Sequence, residues 1–284
     1  MIISPKLWVF ENIFLDGPVP LCNNRTNKNR EDLTMKKEIL TSRRGYDIHC
    51  HNCWNGEDRI LIVCHGFGSS KLSPMVQALN QEMPKAGMGV YSFDFPSHGE
   101  SPIWEEGLRV PFCMDDLQTV EAHVREMAPN AQIGYFGSSF GAYITLLYLA
   151  DRDHAGEKAF LRSAAVAMPR LVDQWVDDRA KADMDCQGYF VPDYDYVREM
   201  RVTPAFLQDL EENDVFAKYR ADAAQLRMVH GAKDDVAPPD AAQAFAEKFG
   251  AEVILLPNGE HNLMGEGELD QVLDLTRSFF LNQD

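Results

Sequence analysis

The sequence predicts an α/β fold, with a mostly parallel central sheet, helices on both faces and a small helical insertion. Three observations carry that prediction. Short continuous apolar runs, such as Ile60-Leu61-Ile62-Val63-Cys64, lack the alternation of a half-buried strand and suit strands covered on both faces. These runs alternate with stretches of helical period through short loops, the rhythm of parallel βα units. The rhythm breaks once, over residues 169–219, where aromatic and acidic residues replace it. The 284 residues are 45% hydrophobic and 25% charged, which suffices for one large domain carrying an insertion.

Residues 1–34 are expected to form a disordered arm or to be a mis-called extension. Residues 21–32 are polar, Asn-rich and without period, and Met35-Lys36-Lys37 would make a natural start. Residues 37–42 and 46–54 flank Arg43-Arg44-Gly45 and predict a hairpin. Cys50 and Cys53 in its second strand have half of a zinc-site spacing. No second Cys/His pair follows at ribbon spacing, however, and strand alternation turns the two cysteines to opposite faces, so no metal is expected. A strand at 58–64 runs into His65-Gly66-Phe67-Gly68-Ser69-Ser70. A helix at 74–85, a strand at 88–95 and an amphipathic helix at 114–127 follow, the last with Leu117, Val120, Val124 and Met127 on one face. A strand at 131–136 leads into Gly137-Ser138-Ser139-Phe140-Gly141 and an apolar helix at 142–150. A strand at 159–168 precedes the insertion. Beyond it come a strand at 226–229, a helix at 239–249, a strand at 252–256 and a closing helix at 269–281. Residues 35–168 and 220–284 therefore form the expected core, with 169–219 as a cap (lid) insertion.

A serine flanked by glycines at a strand-to-helix junction fits a nucleophile elbow, G-x-S-x-G. So tight a turn strains its central residue, and glycines two positions away relieve crowding. The hydroxyl of Ser139 is thereby pushed out above the sheet, and the free N–H groups of the following helix face it. Asp234, within His230-Gly231-Ala232-Lys233-Asp234-Asp235-Val236-Ala237-Pro238, and His261, within Gly259-Glu260-His261-Asn262, each lie just past the carboxyl end of a predicted strand. The His65-Gly66 loop does too. Loops converge at that edge of an open α/β sheet. The chain order Ser…Asp…His is the one this elbow calls for.

Taken together, these four spaced motifs resemble the serine hydrolases of the α/β-hydrolase superfamily over about residues 35–281. The compact insertion and the His65-Gly66-Phe67-Gly68 loop are similar to those of serine aminopeptidase-like hydrolases and bacterial feruloyl and cinnamoyl esterases. The resemblance implies Ser139 as nucleophile, His261 as base and Asp234 as the acid that orients it. Asp235 is the rival. The pattern Gly-x-x-Asp followed by a Val/Pro pair fits Gly231, Asp234, Val236 and Pro238 and favours Asp234. The oxyanion hole would be the backbone N–H groups of Phe67 and Phe140. His65 and His98 are read as loop-holding residues, and His230 and Cys64 as core. The aromatic residues of the insertion either pack under a lid or line a pocket, with Trp175, Tyr189, Phe190 and Tyr194 the candidates for substrate contact.

The expected activity is cleavage of small carboxylic esters with no cofactor. Thioesterase, acyltransferase or aminopeptidase chemistry could use the same three residues. An aminopeptidase needs an acidic group for the substrate amine, for which Asp177, Asp178, Asp193 and Asp195 are available. A non-catalytic ligand-binding protein on the same fold is the alternative of another class. A formal net charge of −17 argues against nucleic acid and anionic membrane surfaces as partners. The N-terminus lacks the pattern of a signal peptide, and no apolar run reaches membrane-spanning length. A cytoplasmic protein with reduced cysteines is expected.

Overall fold

The computed structural model describes residues 35–151, 154, 156–194 and 196–281. The readings of residues 1–34 and of Asp195 lie outside them. The chain opens with the hairpin β1 (Lys36–Thr41) and β2 (Asp47–Asn52), paired antiparallel with Ile39 opposite His49. Then come β3 (Arg59–Cys64), α1 (Pro74–Lys85), β4 (Gly89–Phe93), α2 (Val110–Met127), β5 (Gln132–Ser138) and α3 (Phe140–Asp151). β6 (Lys158–Arg162) is followed by four helices, α4 (Met168–Asp173), α5 (Asp178–Gln187), α6 (Pro204–Glu212) and α7 (Val215–Lys218). The sheet resumes with β7 (Gln225–Gly231), α8 (Pro239–Phe249) and β8 (Glu252–Leu256), and α9 (Glu268–Leu281) closes it.

The strands lie in the order β1-β2-β4-β3-β5-β6-β7-β8. From β4 to β8 every neighbouring pair is parallel, and only β2 runs against the rest, antiparallel to both of its neighbours, β1 and β4. Strand alternation divides the core in two. Ile60, Ile62 and Cys64 of β3 pack on one face with Tyr135, Leu117 and Leu146, whereas Leu61 and Val63 pack on the other with Leu79, Phe136, Phe160 and Phe280. Each such side chain, fully buried, contributes about 1.5–3 kcal/mol. Cys50 and Cys53 fall in the two separate clusters. In α3, Phe140 to Leu149 are all buried, which is why that helix reads as apolar on every side rather than amphipathic.

Two boundaries differ from the sequence reading by more than two residues. α2 starts at Val110, four residues before the expected position, because Pro111 sits in its first turn, where a missing N–H costs nothing. β6 stops at Arg162 rather than 168. Ser163 takes a left-handed backbone, φ +46°, which ends the strand, and the apolar residues 164–166 are buried as a loop ahead of α4.

Candidate active site

The elbow is built by sterics. Ser139, between β5 and α3, has φ +52°, a conformation that costs a non-glycine residue about 1–3 kcal/mol. A Cβ on Gly141 would lie 2.2 Å from the Cys64 carbonyl oxygen, and one on Gly137 would lie 2.6 Å from the Ala142 Cα. Glycine at both positions therefore lets α3 close onto β3 and β5. The Ser139 N–H donates to the Arg162 carbonyl at 2.9 Å, and its carbonyl accepts from Ala142 N–H at 3.0 Å and starts the helix.

The Ser139 hydroxyl lies 3.0 Å from His261 Nε2, and His261 Nδ1 lies 2.8 Å from Asp234 Oδ2. These residues come from three distant loops, after β5, β7 and β8. The β7 and β8 loops are tied together by Lys233 N–H to the Gly259 carbonyl and Ala232 N–H to the Leu256 carbonyl, both 2.9 Å. Asp234 is buried. Its Oδ1 accepts from the Val236 and Ala237 amides at 3.0 and 2.8 Å. Its Oδ2 also faces His230 Nε2 at 3.0 Å, which lies 2.7 Å from the Ala237 carbonyl, so that nitrogen carries the proton. Burial alone would raise the Asp234 carboxyl, but hydrogen bonds from His230 and His261 and the charge of His261 outweigh it and hold the group well below the carboxylate range. Asp235, the rival acid, is exposed.

The loop after β3 carries Phe67. His65 Nδ1–H donates to the Gly66 carbonyl at 2.8 Å, which leaves Nε2 to accept from Phe95 N–H at 3.1 Å. Burial holds the His65 imidazole below its usual range. The loop is braced further on by buried Lys71, whose ammonium reaches Asp94 at 2.6 Å and Glu100 at 2.5 Å. His98 Nδ1–H donates to the Pro96 carbonyl at 2.9 Å, and burial pushes its imidazole down to about 3, so it is neutral. Phe140 is the first residue of α3, and its N–H has no carbonyl within that helix to meet. Among the described residues the Phe67 N–H makes no backbone hydrogen bond, whereas Ser69 N–H donates to the Gly66 carbonyl at 3.2 Å. The two phenyl rings lie 5.7 Å apart, edge to face.

Above Phe67 the insertion closes an aromatic cluster. The Phe67 ring lies 5.3 Å from Trp175, 5.6 Å from Tyr196 and 6.0 Å from Phe206. Tyr194 joins through Trp175 at 5.9 Å. The other two candidates are spent elsewhere. Phe190 is 2% exposed and bridges backbone to backbone with Val202, and the Tyr189 ring stacks under the Arg201 guanidinium. Tyr196 and Phe206, absent from the sequence-based candidates, take their place at the cluster. Aromatic character alone did not separate the two pairs. Among the acids, Asp209 is buried but held by Arg109 at 2.5 and 2.8 Å and by Val110 N–H at 3.1 Å. Asp177 caps α5, and Asp178 and Asp193 are exposed. Buried Arg162, whose Nη1 donates to Ser138 Oγ at 3.0 Å, was hidden by the strand reading that ran past it. Burial pushes its guanidinium down to about 10, against the pull of Asp234.

Such an arrangement can take a proton from a hydroxyl and hold the resulting imidazolium beside a buried carboxylate. Comparison with known proteins gives the chain its family and its fold. Residues 56–223 match the family described as serine aminopeptidase, S33. Proline iminopeptidase of Lactobacillus delbrueckii subsp. lactis is 26% identical over 130 residues, 45% of this chain. The match spans only 44% of that relative's length. Among solved structures, Est1E of Butyrivibrio proteoclasticus with ferulic acid bound superposes with a TM-score of 0.71 at 16% identity, over 86% of this chain and 100% of that one. The esterase domain of a Rhodothermus marinus protein does so with a TM-score of 0.66 at 16% identity, over 86% and 97%. At such identities these likenesses speak for the fold.

Proposed function

This chain belongs to the serine aminopeptidase, S33 family and has the α/β-hydrolase fold, and from that premise we propose that it is a serine hydrolase of small carboxylic esters. The observation that carries the reading is the unbroken hydrogen-bonded line from Asp234 through His261 to the strained Ser139. Ser139 Oγ attacks the ester carbonyl while His261 Nε2 takes its proton. Asp234, ionised and buried, keeps the proton on His261 Nδ1 and stabilises the imidazolium. The tetrahedral oxyanion is held by the Phe67 and Phe140 amides, a contribution of about 10²–10³ in rate per donor. His261 then protonates the departing alcohol, which leaves an acyl-Ser139. Water, activated by the same imidazole, attacks that ester and releases the acid. No step calls on a metal or cofactor.

A second reading, removal of an N-terminal residue from a peptide, is favoured by the family's description and by the proline iminopeptidase relatives. It requires a carboxylate free to take the substrate amine. Buried Asp209 is committed to Arg109 and Asp177 to the cap of α5, while Asp178 and Asp193 lie exposed, so the ester reading is placed first. Turnover of p-nitrophenyl acetate, p-nitrophenyl butyrate, methyl ferulate and proline p-nitroanilide by the wild type and Ser139→Ala decides between them. Ester turnover is expected, lost by about 10⁴-fold or more in Ser139→Ala with folding unchanged. Faster turnover of the anilide than of every ester would reverse the order of the two readings.

A further inference from the structure

We propose that Ser163 is a positioning residue, whose hydroxyl clamps the backbone carbonyl of His261 and so keeps the imidazole in line with Ser139. The inference rests on the reading of Ser139 and His261 given above. Ser163 follows β6 directly and is fully buried. Its Oγ–H donates to the His261 carbonyl at 2.7 Å, and its N–H donates to the Val229 carbonyl of β7 at 2.9 Å. It thus joins the loop that carries the base to the strand that leads into the Asp234 loop.

The backbone of Ser163 makes the choice of residue informative. At φ +46° it lies in the left-handed region that favours glycine. Glycine there would relieve the conformation but could not reach His261. A serine held in it therefore supplies something that the backbone alone does not. The neighbouring residue serves the nucleophile in the same way. The Arg162 carbonyl accepts the Ser139 N–H at 2.9 Å, and its guanidinium holds Ser138 Oγ at 3.0 Å. One dipeptide thus ties both partners of the Ser139–His261 contact to β6. The imidazole itself is held through Nδ1 by Asp234, and its Nε2 bond to Ser139 is the contact that must stay in line. A displacement of about 1 Å between reacting groups costs up to roughly 10²-fold in rate. Ser163 touches no reacting atom, so its effect falls on the chemical step and not on substrate binding.

The test is kcat and KM on p-nitrophenyl acetate for the wild type, Ser163→Gly and Ser163→Ala, with the thermal midpoint of each and fluorophosphonate labelling of the wild type. Both variants lose the hydroxyl, and only glycine relaxes the backbone. The expected result is a fall of about tenfold in kcat in both, with KM within twofold of wild type, while the glycine variant melts above the alanine variant. Wild-type kcat in the glycine variant together with a loss in the alanine variant would assign the effect to backbone strain and overturn the proposal. So would wild-type kcat in both, or a raised KM at unchanged kcat. A wild type that hydrolyses the ester without being labelled at Ser139 would refute the parent reading, and the clamp with it. Labelled wild type with unimpaired variants would refute the clamp alone.

Discussion

Asp234 and Asp235 are neighbours in sequence and opposites in environment. Asp234 is buried with all its lone pairs engaged, by two amides and two histidines, whereas Asp235 is exposed. Asp234→Asn places an amide against His261 Nδ1, and the ring then turns its proton toward Ser139 and can no longer accept. A loss of about 10⁴ in kcat is expected, against less than twofold for Asp235→Asn. Steady-state kinetics on one ester checks both, and the reverse ranking would move the acid by one position. The three residues were legible in the sequence because each follows a strand and the elbow has local sterics that demand its glycines. Ser163 and Arg162 were not. The apolar run that continues from Ala164 to Met168 imitates a longer strand, and only a contact with His261, far along the chain, reveals the break.

At the scale of elements, the insertion meets the core at the loop that carries Phe67. Gly68 has φ +65°, and a Cβ there would lie 2.1 Å from Tyr196 Cδ1. Gly68→Ala should therefore cost about 1–3 kcal/mol in unfolding free energy. Combined with Tyr196→Ala, it should cost less than the sum of the two single changes, because the ring in the way is gone. Additive denaturation free energies would contradict the contact. The aromatic residues of the insertion could be counted from sequence, but which rings reach Phe67 depends on how α4 to α6 and the 190–203 segment pack, a non-local matter.

The hairpin presents a second test at this scale. Asp116 of α2 accepts from Ser42 Oγ at 2.7 Å and Tyr46 Oη at 2.9 Å and so pins β1 and β2 to the helix. Burial, against those two hydrogen bonds, raises its carboxyl to about 6. The folded state therefore binds this proton before the unfolded chain does. The group's contribution to stability grows as pH falls from about 6 toward the unfolded value of about 3.9, by on the order of 3 kcal/mol. Unfolding free energies of the wild type minus Asp116→Asn, measured between pH 7.5 and 4.5, should rise in that direction. A flat difference would place the carboxyl in its usual range.

On the scale of the whole molecule, the sheet is what makes a site out of separate loops. β3, β5, β7 and β8 lie in parallel, so the turns that follow them all open at one edge. That architecture was legible because buried parallel strands write themselves as continuous apolar runs. The strand order, with β4 outside β3, follows from pairing across the sheet and leaves no local mark. Among the described residues no helix is long and apolar enough to cross a membrane. Since Ser139, Asp234 and His261 come from three distant parts of the chain, the reactivity of Ser139 should exist only in the folded protein. The most direct test is labelling with a fluorophosphonate probe, folded and in denaturant, with the modified peptide mapped by mass spectrometry. The account predicts one modified residue, Ser139, labelled in the folded wild type and not in denatured protein or in Ser139→Ala. Folded wild-type protein that stays unlabelled, or is labelled at another residue, would contradict it.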